Sequence, residues 1–254
     1  MFYPSVVFQG RGYLMFKHVV EAAYLEAERV FPLESCGIVV SKAGILEYMP
    51  CQNISSNAEN TFTISPRDYV KAEDSGDIVY IIHSHSWSNS APSEADKVSC
   101  NQGKVPWLIL SLPERSETLV VPNDKVLPLE GRTFFHGVID CLSLVRDYYS
   151  SELGIHIDNY YRQDNWWDKG LNMYLDLADD ANFDIITSGK PKVHDVIVMQ
   201  VGSPVPNHGA IYLGNNIILH HLANRNSCKA VYGGYWEKNT WAFLRHRTLN
   251  QENI

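Results

Sequence analysis

The chain has 254 residues, 45% hydrophobic and 20% charged, enough to bury one large core or two ordinary ones, and two domains fit better. A net charge of -8 with no cluster of Lys and Arg excludes a surface that tracks a nucleic-acid backbone, so no nucleic-acid partner is expected. Five widely spaced cysteines, Cys36, Cys51, Cys100, Cys141 and Cys228, are odd in number and contain no CxxC pair, which favours neither a disulfide framework nor a thiolate zinc site and fits folding in a reducing cytoplasm.

Met1 to Gly10 shows no basic region leading into an apolar segment, and no run approaches a membrane span, so action outside the cell would need another carrier. Phe16, Val19, Val20, Ala23, Tyr24, Ala27 and Phe31 recur at three- and four-residue steps opposite Glu21, Glu26, Glu28 and Arg29. This predicts an amphipathic helix ended by Pro32. Cys36–Val40 reads as a strand that turns through Ala43-Gly44 into a second strand, Ile45–Met49. The apolar run Ile78–Ile82 reads as a buried strand, and a period of two puts His83 and His85 on one face at its end. Pro92-Ser93-Glu94 opens a helix with Asp96 in its first turn. Taken alone, two alternating histidines also fit an ordinary surface or core pair. With Asp96 they offer a metal three ligands and leave one position for water, the pattern of a catalytic rather than a structural zinc. Strands over Val105–Leu112 and Thr118–Val121 complete an α/β domain, residues 1–122. Turn signals at Pro122-Asn123-Asp124 and Pro128-Leu129-Glu130-Gly131 place the boundary between about 122 and 132, with the second domain over 132–254.

In the second half, Asp140-Cys141 opens an amphipathic helix carried by Leu144, Val145, Tyr148 and Tyr149. Unpaired N–H groups and the helix dipole stabilise a thiolate in a first turn, which predicts that Cys141 stays reactive below the pH at which a free thiolate is lost. Val193–Met199 reads as a strand, and Asn207–Leu213 with Ile217–His221 as a hairpin that offers His208 as base to Cys141. A two-residue turn at Gly214-Asn215 would pair His208 with His221. A three-residue loop would pair Leu213 with Ile217 and put His220 on the face of His208, with His221 opposite. The second register is preferred, with His220 accepting the Nδ1 hydrogen bond of His208. Tyr160, Tyr161, Trp166, Trp167 and Tyr174 read as packing of a loop-rich layer rather than a lid or sugar-stacking wall. Tyr235, Trp236, Trp241 and Phe243 lead into a closing strand at Leu244-Arg245-His246-Arg247.

His83-Ser84-His85, seven residues, then Ser93-Glu94-Ala95-Asp96 resembles the JAMM motif of MPN-fold metallo-isopeptidases at all four positions. Pro32-Leu33-Glu34-Ser35-Cys36-Gly37 is similar to the segment that carries that family's general base. The resemblance implies Zn2+ on His83, His85 and Asp96, with Glu34 passing a proton from the zinc-bound water to the leaving amine. It implies Ser93 as the group that steadies the oxyanion, a role compatible with capping the helix. Ser86 stands where a Pro frequently follows the second His, which predicts a looser loop without loss of a ligand. Asp140-Cys141-Leu142-Ser143-Leu144-Val145 and His208-Gly209-Ala210-Ile211-Tyr212-Leu213-Gly214 resemble the NlpC-type papain-like peptidoglycan endopeptidases, with Ser143 in place of a frequent Gly. That implies a small α+β domain in which Cys141, His208 and His220 hydrolyse the γ-D-glutamyl to diamino-acid bond of wall peptides; the family's spacing of twelve also selects His220.

The two halves in this order resemble the tail-tip assembly proteins of lambda-like phages over nearly the whole chain. The implied fold class is α/β plus α+β, an N-terminal MPN (JAMM) domain followed by a C-terminal NlpC-type papain-like domain. Implied also are synthesis in the host bacterial cytoplasm, assembly with other tail-tip proteins, and action in the periplasm on peptidoglycan peptides. One rival reading is a structural tail-tip module whose sites are vestigial or bind without turnover. Another, a cytoplasmic isopeptidase for a ubiquitin-like tag, leaves Cys141 unexplained.

Overall fold

The computed structural model describes residues 11–123 and 125–249; the Met1–Gly10 lead, Asp124 of the boundary turn and residues 250–254 lie outside the described residues. The chain divides into two compact units, residues 1–124 and 125–254.

In the first unit, helix α1 (Arg11–Val30) buries Phe16, Val19, Ala23, Tyr24 and Ala27. Strands β1 (Cys36–Lys42) and β2 (Ile45–Cys51) join through Ala43 and Gly44, both at positive φ, with Lys42 opposite Ile45. Helix α2 (Pro66–Ser75), which no periodicity in the sequence announced, precedes β3 (Asp77–His85). Helix α3 (Glu94–Gly103) then crosses over to β4 (Trp107–Ser111), and β5 (Glu117–Val120) closes the sheet. The strand order is β2-β1-β3-β4-β5, with β3 and β4 parallel and every other pair antiparallel. Helices cover both faces: Val39, Ile82, Leu108 and Leu110 meet α1, whereas Cys36, Ile38 and Val40 pack around Ala72 of α2. Burial on two sides explains why β1 reads as a continuous apolar run instead of an alternation. It also places the end of β3, with its two histidines, in the middle of the sheet.

The second unit begins with α4 (Cys141–Leu153), a 3-10 turn at Trp166–Lys169 and the single-turn helix α5 (Met173–Asp176). There follow β6 (Phe183–Ile186), β7 (Val196–Met199), β8 (His208–Gly214), β9 (Ile217–His220), β10 (Cys228–Val231), the one-turn α6 (Tyr235–Lys238) and β11 (Thr240–His246). They form an antiparallel sheet of order β10-β9-β8-β7-β11-β6. Leu144, Val145, Tyr148 and Tyr149 of α4 pack on Val196, Val198, Ile211, Leu219 and Leu244. Ile197, Met199, Ala210, Ile218 and Phe243 form a second layer on the other face. Strand β7 starts at Val196 and not at Val193, because His194 sits at φ 76° and Asp195 is clamped by Arg245 at 2.8 and 2.6 Å. The two edge strands, β6 and β10, were not legible: each has four residues and no fully buried face to impose alternation.

Gly37 is required by close approach, because a Cβ there would overlap the ring of Tyr48. Gly37→Ala is expected to destabilise the first unit by about 1–3 kcal/mol through overpacking, read as a lowered urea midpoint of the full chain. An unchanged midpoint would show that Tyr48 can swing clear.

Candidate active sites

The first centre is assembled at the end of β3. Alternation sends His83 and His85 to one face and Ser84 to the other, where Ser84 Oγ accepts the Ser35 N–H at 2.8 Å and the Ser35 hydroxyl at 3.0 Å. The middle serine of the motif therefore ties the segment carrying Glu34 to the histidine strand. His83 Nε2 lies 3.3 Å from His85 Nε2 and 3.4 Å from Asp96 Oδ1, and His85 Nε2 lies 3.7 Å from Asp96 Oδ2. Ligand atoms about 2.0–2.1 Å from a tetrahedral zinc stand roughly 3.3–3.4 Å apart, so the triangle has the size that ion needs. Among the described residues these three form the group of His, Cys, Asp and Glu able to hold a metal.

The surroundings set the charge of each ligand. His83 is fully buried, stacked on Phe62 at 4.5 Å and edge-on to Trp107, and burial lowers its pKa to about 4. His85 Nδ1 faces the Asn89 carbonyl at 2.7 Å, which fixes a tautomer with the Nε2 lone pair toward the other ligands. Burial opposes a charge on His85, but Asp96, the Asn89 carbonyl and Glu34 outweigh it and hold its pKa above the ordinary value. Burial likewise opposes the Asp96 carboxylate, and His85, His83 and Ser93 outweigh it and hold the pKa well below the usual range. Glu34 is buried, and its pKa rises to about 8: burial is the main cause, with His85 pulling down and Asp96 pushing up.

Ser93 is the N-cap of α3: its Oγ accepts the Asp96 N–H at 3.1 Å, while the Ser93 N–H bonds Asp96 Oδ2 at 2.7 Å. One expectation is corrected here. Ser86 does not loosen the loop; it is buried and its hydroxyl donates to the Leu33 carbonyl at 2.9 Å, anchoring the residue next to Glu34.

The second centre lies at the start of α4. Asp140 caps the helix, its Oδ1 accepting the Ser143 N–H at 2.9 Å, and the Asp140 N–H returns to Ser143 Oγ at 2.7 Å. Ser143 is thus half of a capping box, a function a glycine cannot supply. Cys141 is half-buried, and its Sγ takes the Tyr174 hydroxyl at 3.1 Å and the backbone N–H of Gly209. Gly209 has no room for a side chain, since a Cβ would stand 2.7 Å from the Tyr174 hydroxyl. The expected low thiol pKa is corrected. Burial and the adjacent Asp140 push the Cys141 thiol up, and Tyr174, Gly209 and Arg162 offset this only in part.

His208, the first residue of β8, is buried, and its Nε2 lies 3.2 Å from His220 Nδ1. The expected partner is present through the other nitrogen: Nε2, not Nδ1, faces His220. Burial, with His220 and His221 adding to it, lowers the His208 pKa to about 3. The loop reasoning also needs amendment. The turn is Asn215-Asn216, both at positive φ, Gly214 pairs with Ile217, and a bulge between Tyr212 and Gly214 absorbs the third residue. The resulting register sets His220 opposite Ala210, diagonal to His208, while His221 turns away against Phe134. Trp236 comes from α6 rather than the closing strand and packs edge-on to His220 at 4.7 Å, also reaching His208. Of the aromatic run, Trp166 and Tyr174 are core as expected and Tyr161 is exposed. What the sequence did not reveal was that the Tyr174 hydroxyl ends on Cys141, since no spacing encodes it.

Residues 16–120 match the family model for prokaryotic homologs of the JAB domain, and residues 131–245 match that of the NlpC/P60 family. Tail tip assembly protein K of Escherichia phage N15 is 36% identical over 237 residues, covering 92% of this chain and 97% of its own. Tail tip assembly protein K of Escherichia phage lambda is 36% identical over 184 residues, covering 72% of this chain and 89% of its own. A JAB-type, MPN-like domain followed by an NlpC/P60 domain is the arrangement of this chain, which belongs to the tail tip assembly protein K family of lambda-like phages.

Proposed function

We propose that this tail tip assembly protein is a wall-peptide hydrolase, with a cysteine endopeptidase in residues 132–254 and a zinc-dependent peptidase in residues 1–122. The observation that carries the first assignment is the convergence of Cys141 Sγ with the Gly209 N–H, directly after a His208 whose far nitrogen is engaged by His220. With His208 Nε2–H donated to His220 Nδ1, the Nδ1 lone pair of His208 is the base for Cys141. The thiol gives its proton to Nδ1 as sulfur attacks the carbonyl carbon, so thiolate and imidazolium arise together and each lowers the cost of the other. The imidazolium then protonates the leaving amine, and water hydrolyses the thioester. Tyr174, already donating to Sγ, and the N–H groups of Cys141 and Leu142 at the start of α4 are the donors that would serve the developing oxyanion. By family resemblance the bond is γ-D-glutamyl to diamino acid, reached in the periplasm from an assembled tail tip. Other tail-tip proteins are the assembly partners, in keeping with the name of the relatives.

In the N-terminal half, Zn2+ held by His83, His85 and Asp96 would supply a Lewis acid that makes water acidic enough to attack an amide. Glu34 takes the proton of the attacking water and delivers it to the leaving amine. Ser93 Oγ accepts the Asp96 N–H, and its hydroxyl, which also bonds the Asp96 carboxylate, would have to turn from that carboxylate to steady the oxyanion. The rival reading, an assembly module without turnover, draws on the relatives' name and on the raised thiol pKa of Cys141.

Two measurements decide between them. Purified protein is expected to hold one zinc by elemental analysis; His85→Ala should lose most of it, and Glu34→Gln should keep it. Protons compete for His85, whose pKa is raised, so zinc affinity should fall as pH drops through the imidazole range. Unchanged stoichiometry in His85→Ala rejects the ligand set. For the second half, Cys141→Ala should abolish release of wall peptides, and His220→Ala should lower kcat by about 10²–10⁴-fold. EDTA should spare that activity and iodoacetamide should kill it. Hydrolysis surviving in Cys141→Ala rejects the cysteine-peptidase reading.

A further inference from the structure

Directly beneath the Cys141 helix start lies an ion pair that the reaction above does not use. Arg162 Nε bonds Asp140 Oδ2 at 2.6 Å, with both side chains almost wholly buried. The other guanidinium nitrogens bond the Gly137 carbonyl and the Tyr160 carbonyl, each at 2.6 Å, and Asn159 Oδ1 at 3.2 Å. Asp140 Oδ2 also accepts the Gly137 N–H at 2.9 Å, while Oδ1 caps α4. One guanidinium therefore closes the loop from Gly137 to Asp140 and secures the cap whose next residue is Cys141. It does so with a charge. A buried carboxylate one residue from the thiol opposes a thiolate, and a cation on that carboxylate removes most of the opposition.

We propose that Arg162 is a positioning residue for the Cys141 nucleophile, fixing the Asp140 cap and balancing the carboxylate that would otherwise stand uncompensated beside the reacting sulfur. The proposal rests on the reading of Cys141 as nucleophile. The other groups facing this sulfur are the Tyr174 hydroxyl and the Gly209 N–H; His208 and His220 stand on the hairpin, and His221 faces Asp140 from the same segment. Burial lowers the pKa of all three imidazoles and so disfavours a positive charge on any of them. Arg162 is the permanent cation paired with Asp140.

The test is the pH dependence of iodoacetamide alkylation at Cys141 in the full chain, quantified by mass spectrometry of the Cys141 peptide so that exposed Cys228 does not interfere. Arg162→Met leaves the carboxylate uncompensated and should slow alkylation at pH 7 by about tenfold, the profile moving to higher pH. Asp140→Asn keeps a capping side chain and leaves the cation, and should move the profile the opposite way by a similar factor. The double variant should lie between them. Shifts of opposite sign are a signature that loosening of the loop cannot produce. If Arg162→Met does not fold, Asp140→Asn decides alone: a profile unmoved or moved upward overturns the proposal, as does an unmoved profile in folded Arg162→Met. Wall-peptide release by Cys141→Ala tests the underlying reading separately, since alkylation reports on the thiol whether or not it turns over substrate.

Discussion

The first N–H groups of a helix have no partner within it, and both candidate centres are built on the way this chain satisfies them. In α3 the cap is Ser93 and the reciprocal residue is Asp96, so the carboxylate that completes the box is also the one facing His83 and His85. In α4 the order is reversed. Asp140 is the cap and Ser143 the reciprocal residue, which turns the carboxylate inward and leaves Cys141 as the first residue of the helix. The same local rule therefore yields two buried acids, one set against a pair of imidazoles and the other against a cation, Arg162.

Each helix start needs a counterpart fixed in space, and central strands supply it. His83 and His85 leave the end of β3, flanked by β1 and β4, while His208 opens β8, flanked by β7 and β9. Neighbouring backbone restrains such residues on both sides. Small residues then create room: Gly209 admits the Tyr174 hydroxyl to the sulfur, and Ala210, opposite His220, leaves space on the face where the two imidazoles meet. Ser84 shows how little sequence this takes, since one hydroxyl between two candidate ligands binds the Glu34 segment to the histidine strand.

What could be read from the sequence was whatever has a period or a fixed spacing. Alternation placed His83 and His85 together, the helical repeat announced α1 and α4, and hairpin parity put His220 rather than His221 beside His208. What could not be read depends on long-range approach. Tyr174 lies 33 residues from Cys141 and Arg162 lies 22 from Asp140, each across α4 and irregular chain that follows it, so neither contact leaves a pattern. The sequence shows Trp236 only as part of the lead into a closing strand, whereas Gly233-Gly234 precedes a one-turn helix that aims its ring at the histidines. The hairpin loop gave the right face for an incomplete reason: a bulge, invisible to residue counting, restored the parity that the two-residue turn would have broken.

Burial acts on both proposed bases and drives them in opposite directions. It lowers His208 to about 3 and raises Glu34 to about 8, because in each case it favours the uncharged form. The consequences for chemistry differ. A neutral imidazole can accept a proton, so in the proposed reaction His208 starts in the state that reaction needs, and charges arise on sulfur and imidazole only as a pair. A neutral carboxylic acid accepts no proton. Glu34 can serve as a base near neutral pH only when positive charge opposite it offsets both its burial and the repulsion of Asp96, and His83, fully buried and held neutral, does not provide that charge. A cation on the three ligands would do so. In the proposed reaction a metal on His83, His85 and Asp96 would therefore be needed twice, for the Lewis acid and for the ionisation of Glu34, whereas the carboxylate beside Cys141 already has its cation in Arg162.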